Sequence, residues 1–257
     1  MEFIIIGIAA LFASLLTFFS GFGLGTMLLP VFVFFFPVDL AVALTAIVHL
    51  LNNLFKFGLT RKHINKSILL KFGIPGILGA IAGAILLLYI SDMRPVHHYT
   101  MFMEEFTIMP LNLIIGILLI IFALFEFIPI LQKLSLPRSM LSIGGLISGF
   151  FGGLSGHQGA LRSTFLIRYG LSKEAFIATG VAIALFVDVA RISVYTSKFY
   201  SPDITNELPY LAVAVLSAFM GAYIGSQALQ KITIETIHVM VGVLLIVVGI
   251  GMAIGLI

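Results

Sequence analysis

Arg162 stands three residues after Gly159, just behind the run Ser155-Gly156-His157-Gln158-Gly159, with Ser163 beside it. Those types in that order suit an oxyanion. Glycines let a backbone approach a ligand closely. A helix that starts after them presents unpaired N–H groups and the positive end of its dipole. An arginine adds a planar fork that matches anionic oxygens. The same run has a first-half counterpart in Gly21-Phe22-Gly23-Leu24-Gly25, so Gly23 and Gly25 join the candidate binding set.

A second constellation is Asp188 and Arg191, three apart with Tyr195 on the same helical face. It reads as a structural ion pair or as a substrate or proton site. His49, Asn52, Asn53 and Lys56 follow i, i+3, i+4, i+7, one stripe of a helix, with Thr45 a turn earlier. Asn52 and Asn53 suit either substrate contact or hydrogen bonding between helices, and Lys56 reads as a basic anchor at a membrane edge. Histidine is the side chain whose charge changes near neutral pH, so His49 and His157 join Asp188 as proton-coupling candidates. His97-His98 and Glu104-Glu105 share one loop, where a solvated polar segment is expected ahead of a metal site.

The elements that carry these residues are set by composition. The chain has 257 residues, 60% of them hydrophobic and 10% charged, with a mean hydropathy of +1.19. Soluble domains carry about 25% charged residues, and a chain this poor in charge cannot cover a surface facing water. Runs of roughly 20 apolar residues span the hydrocarbon core of a bilayer, and several runs here reach that length. The absence of cysteine excludes disulfides, thiol chemistry and cysteine metal sites. The net charge of +3 comes from loop lysines and arginines and does not call for nucleic acid; no cofactor is called for either. Residues 3–20 lack a basic start and a small-residue cleavage site, so they are expected to form a retained helix rather than a signal peptide.

Apolar runs bounded by Gly, Pro and charge predict ten segments: 3–20, 24–36, 39–57, 68–90, 109–129, 138–156, 158–168, 174–196, 208–229 and 236–257. Segments 24–36 and 158–168 are too short to span, and both follow a glycine cluster. Shifted by 134 residues, Gly25 falls on Gly159, Ala41 on Ala175, Thr45 on Thr179 and Pro75 on Pro209. The run Gly116 to Ile120 also resembles Gly242 to Ile246. The chain therefore divides into repeats at 1–129 and 130–257.

Loops at 57–67, 130–138, 168–174 and 230–235 hold Arg61, Lys62, Lys66, Lys133, Arg138, Arg168, Lys173 and Lys231. Loops 91–107 and 197–207 hold only Arg94 and Lys198, with Asp92, Glu104, Glu105, Asp203 and Glu207. The excess of Lys and Arg marks the first set as cytoplasmic. The predicted architecture is an all-α polytopic membrane protein: an inverted-topology repeat of two five-segment halves, each with a broken or re-entrant short helix, and both termini outside. Such repeats are built by many secondary transporters, which place their substrate at the breaks. No GxxxxGK[ST] motif is present, so a gradient rather than ATP bound to this chain is the expected driving force.

At its glycine clusters the chain resembles the sulfite exporter TauE/SafE family. One copy of the pattern is Gly21-Phe22-Gly23-Leu24-Gly25, Pro30 and Ala41 to Thr45. The other runs from Gly149-Phe150-Phe151-Gly152-Gly153 through Gly159, Gly170-Leu171-Ser172-Lys173-Glu174-Ala175 and Ala178-Thr179. The resemblance implies a secondary transporter, an exporter of sulfite or small organosulfonate anions across the plasma membrane. His157, Gln158 and Arg162 stand where the family pattern usually has small or apolar residues.

Two rival readings come from other classes. Gly153-Leu154-Ser155-Gly156, with His49 and Asn53 upstream and His238 downstream, matches the G-x-S-G pattern of rhomboid intramembrane serine proteases. A cation or metal permease on the same architecture is the other, but acids are scarce: Asp188 lies well inside a predicted span and Glu126 near an end. Gly79, Gly83, Gly221 and Gly225 form small-xxx-small pairs for close helix packing, within the protomer or in a homodimer.

Overall fold

The computed structural model describes residues 1–20, 23–101, 103–128, 137–199, 207–227 and 234–257, with backbone alone at 18–20, 125–126, 199 and 234–238. Gly21, Phe22, Lys133, Asp203 and Lys231 lie outside the described residues, as do the side chains of Glu126 and His238. The described chain is α1 (Glu2–Ser20), α2 (Leu24–Phe32), α3 (Val38–Thr60), α4 (Lys66–Ser91), strands β1 (His97–Met101) and β2 (Glu104–Ile108), α5 (Pro110–Phe127), α6 (Leu141–Ser155), α7 (Gly159–Leu166), α8 (Lys173–Phe199), α9 (Leu208–Gln227) and α10 (Ile234–Ala253).

The ends of these helices follow from local chemistry. Asn65 caps α4 by accepting the Ile68 N–H at 3.1 Å. Pro110 opens α5 at a first-turn position, where its missing N–H costs nothing. Gly156, at φ 80°, stops α6 in a left-handed turn that an L side chain rarely adopts. At 1.5 Å per residue, α4 and α8 are about 39 and 40 Å long, enough to cross a bilayer of roughly 30 Å; α2 and α7 reach only about 13 and 12 Å.

Four described helices are long and apolar enough to cross a membrane: α3 with its following turn, α4, α8 and α9. Leu70, Ile74, Leu78, Ile85 and Tyr89 of α4 are all more than half exposed. An apolar stripe of that kind faces lipid, not water. The chain is an all-α polytopic membrane protein, and each of the ten expected segments coincides with a helix to within a few residues. Loop 91–107, expected as a solvated polar segment, is largely exposed, and it adds regular structure that was not expected. It forms a β-hairpin in which His97 pairs with Ile108 and Met101 with Glu104. Alternating Tyr99, Phe106, Thr100 and Thr107 supply the strand pattern, and Tyr99 donates to the Ile254 carbonyl at 2.5 Å.

The most extensive packing joins α4 to α6, α1 to α9 and α5 to α10, followed by α4 to α8 and α3 to α8. Under the 134-residue correspondence expected from the sequence, the α4–α6 and α1–α9 pairings exchange into each other. Glycine makes the closest pairing possible: α4 and α6 approach until a Cβ on Gly79, Gly83, Gly145, Gly149 or Gly153 would overlap the facing backbone carbonyl. A Cβ on Gly221 would likewise meet the Leu11 carbonyl of α1. Gly79, Gly83 and Gly221 are therefore used inside the protomer.

Candidate functional site

The two glycine breaks meet at the centre of the bundle. A Cβ on Gly25, in the first turn of α2, would lie 3.4 Å from the Gly156 carbonyl oxygen at the end of α6. Around this crossing lies a band of buried polar side chains: Ser14, Thr17, Thr45, His49, Asn52, Asn53, Lys56, Ser148, Ser155, His157, Gln158, Arg162, Thr179, Asp188 and Arg191. Burial of so many polar groups in a membrane domain is costly unless they are paired or used.

Asp188 is the hub. Its Oδ1 accepts from Arg191 Nη2 at 2.8 Å, Arg191 Nε at 3.1 Å and Gln158 Nε2 at 3.4 Å. Its Oδ2 lies 2.6 Å from His49 Nδ1 and accepts from Asn53 Nδ2 at 3.2 Å. Arg191 also donates Nη1 to the Gly152 carbonyl at 3.2 Å, and Tyr195 donates its hydroxyl to the Gly153 carbonyl. Asp188 and Arg191 are thus an ion pair that ties α8 to the end of α6, with neither residue exposed. Arg191 is fully buried, and the pair and the Gly152 carbonyl satisfy it.

Beside this network lies a cavity of about 40 Å³, more than the roughly 10–15 Å³ that holds one water. Thr17 of α1, Gly23 and Leu24 at the start of α2, His49, Asn53 and Lys56 of α3, Arg162 of α7, and Phe176, Ile177, Gly180 and Val181 of α8 line it. Two of the eleven are cations and none is an acid. Arg162 is 8% exposed, and its Nη1 has no hydrogen-bond partner. Gly180 makes room for it: a Cβ there would lie 3.3 Å from Arg162 Nε. Arg162 therefore does not reach along α7 to the membrane edge; it turns inward.

Of the residues singled out in the sequence, the structure brings Arg162, Gly23, His49 and Asn53 to the cavity wall. Others lie behind it. Gly156 faces Gly25 and Arg191, and the Gly159 carbonyl accepts from Ser163 Oγ at 3.0 Å. Ser155 donates to the Phe151 carbonyl at 3.0 Å, and His157 stacks on Phe122 with its Nδ1 2.9 Å from the Ser155 carbonyl. The run Ser155 to Gly159 thus shapes the break without lining the cavity. Asn52 accepts from Ser14 Oγ at 3.0 Å. Lys56 is the correction: expected as a basic anchor, it is 4% exposed and lines the cavity. Its place on the His49 stripe was the sequence signal for this. Thr17 and Gly180 carried no such signal.

The geometry bears on the rival chemistries. Ser155 is buried, its hydroxyl is committed to a carbonyl, and the cavity does not reach it. Asp188 is already surrounded by donors and is not on the cavity wall, which leaves no carboxylate among the described residues facing a cation there. Among the described residues no three of His, Cys, Asp and Glu converge as metal ligands would.

A family model described as Sulfite exporter TauE/SafE matches residues 6–252. No curated protein matches the chain.

Proposed function

The chain belongs to the TauE/SafE sulfite exporter family, a family of membrane transporters, and from that premise we propose that it exports sulfite or small organosulfonate anions through the cavity at Arg162. The observation that carries this reading is the buried guanidinium of Arg162, which faces an acid-free cavity with Nη1 unpartnered. A buried donor without a partner costs about 1–3 kcal/mol; an oxyanion in the cavity removes that cost. Lys56 lines the same cavity, and Asn53 and His49 supply further polar groups. Gly23 and Gly25 let α2 approach the site.

The residues 1–129 and 130–257 are read as inverted repeats in the plasma membrane, with the basic loops in the cytoplasm and both termini outside. In that orientation the cavity lies toward the cytoplasm. Lys56 sits just before the basic turn at Arg61–His63, and Phe176 just after Lys173. At the other end of α8, Lys198 reaches Ser91 at 2.6 Å, Asp92 at 2.7 Å and Asp39 at 3.6 Å, which closes the outer side. Rocking of one repeat against the other would open the outer side.

The test is thermal stability of the detergent-purified protein with sulfite, sulfate, thiosulfate, sulfoacetate, taurine, acetate or chloride, repeated on Arg162→Ala. A ligand at 100 times its Kd stabilises by about 2.7 kcal/mol. A sulfur oxyanion should stabilise the wild type and not the variant. Equal stabilisation of both proteins, or none by any sulfur anion, would remove Arg162 as the anchor.

A further inference from the structure

His49 has two ring nitrogens in different surroundings. Nδ1 meets Asp188 Oδ2 at 2.6 Å. The other groups bonded to that carboxylate, from Arg191, Gln158 and Asn53, are all donors. A carboxylate so surrounded accepts only, so the hydrogen between Asp188 and His49 belongs on Nδ1. In the neutral ring Nε2 then carries a lone pair. That edge of the ring faces Gly23, where a Cβ would lie 3.2 Å from Nε2, and His49 lines the cavity beside Arg162. The missing side chain at Gly23 keeps Nε2 accessible. Asn53 Nδ2 lies 3.0 Å from Nδ1 and 3.5 Å from Nε2, and it donates to the same Asp188 Oδ2 at 3.2 Å, so its hydrogen has an acceptor other than the ring.

Resting on the anion reading of the cavity, we propose that His49 is the coupling group of this transporter: Nε2 takes up one proton as the anion binds beside Arg162, and the two cross together. The charges that face His49 set the sign. Lys56 and Asn53 lie on its own helix, Arg162 on α7, Gln158 at the start of α7, Asp188 and Arg191 on α8, and Thr17 on α1. Among the described residues the one carboxylate against the ring is Asp188, which is shared with Arg191, so an imidazolium in the empty cavity meets the two guanidinium groups of Arg191 and Arg162 with that single carboxylate between them. An anion in the cavity offsets that repulsion. By linkage the proton strengthens anion binding by the same factor as the anion strengthens proton binding. The proton comes from water on the side where the anion enters and returns to water where it leaves. Asp188 is a positioning residue that holds the tautomer. Coupling of this sign is cotransport, with direction set by the combined gradients: an anion accumulated inside drives both outward.

The experiment uses methanesulfonate and sulfoacetate, sulfonates that carry no exchangeable proton near neutral pH. In weakly buffered detergent with a pH dye, wild-type protein should take up close to one proton per anion bound. Release of protons, or no change on binding, would overturn the proposal without touching the anion site. In proteoliposomes with a trapped pH dye, an outward sulfonate gradient should carry protons outward at a proton-to-anion ratio near one. In His49→Gln that ratio, read at whatever flux remains, should fall below about 0.1. An unchanged ratio in His49→Gln would exclude His49. Failure of wild type to bind or move either sulfonate would sink the anion reading, and the coupling with it.

Discussion

Two buried arginines one helix apart should respond in opposite ways when their charge is removed. Arg191 makes three hydrogen bonds, two to Asp188 and one to the Gly152 carbonyl. Arg191→Met leaves Asp188 buried with only neutral donors and His49. Breaking a buried pair by removing one partner costs about 3–5 kcal/mol. Arg162 has no side-chain partner at Nη1. Arg162→Met replaces the stem with a similar apolar volume and removes a buried donor that is worth about 1–3 kcal/mol against folding. The ligand-free Arg162→Met protein should therefore be as stable as wild type or up to about 3 kcal/mol more stable, while Arg191→Met loses most of its folded yield. For anion binding the order reverses. Arg162→Met forfeits charge-assisted bonds worth about 1.5–3 kcal/mol, a loss of roughly 10- to 150-fold in Kd. The assay is reversible unfolding in mixed detergent with and without a saturating sulfur oxyanion. Equal destabilisation by the two substitutions without ligand would refute the division of one arginine into a structural ion pair and the other into a site group.

The glycine-lined approach of α4 and α6 predicts that Gly83→Leu, whose side chain has to displace the Phe150 carbonyl, abolishes folded protein, as judged by size-exclusion chromatography in detergent. Gly156→Ala and Gly170→Ala both place alanine at positive φ, 80° and 61°, and should each cost about 1–2 kcal/mol. Gly156→Ala should cost more, because its Cβ would lie 3.1 Å from Arg191 Nη1 whereas Gly170 has open space; equal thermal shifts would count against the tight α6–α7 turn. Lys198→Ala removes ion pairs that water reaches, with Asp92 73% exposed, and should change stability by less than about 1 kcal/mol. On the proposed rocking motion, its effect should instead appear as faster opening at that end of α8, read by labelling of a cysteine placed at Leu161.

The membrane fold was legible because its cause is one-dimensional. A span is about 20 apolar residues in a row, and glycine clusters interrupt the runs before residues 24 and 159. The expected duplication rests on a signal of the same kind, since Gly25 and Gly159 or Thr45 and Thr179 keep one offset along the chain. The β-hairpin at 97–108 escaped because its alternation is short and its polar residues read equally well as a solvated loop.

The site divides along the same line. Residue type and helical spacing put Arg162, His49 and Asn53 among the candidates, since a charged or titratable group within a span needs a reason to be there. Spacing put an acid three residues before Arg191 and none beside Arg162, but it could not show that Arg191 commits its donors to Asp188 and a carbonyl while Arg162 keeps Nη1 without a hydrogen-bond partner. The sequence also read Lys56 as an anchor, because helical spacing defines a stripe but not which neighbour the stripe faces. Those outcomes depend on contacts between residues 139 positions apart, such as His49 with Asp188, and on glycines whose use appears only where two backbones touch. Local composition determined the elements and the chemistry available; the packing of α3 against α8, with Arg162 of α7 turned toward the cavity, decided which of those charges are neutralised and which face the cavity.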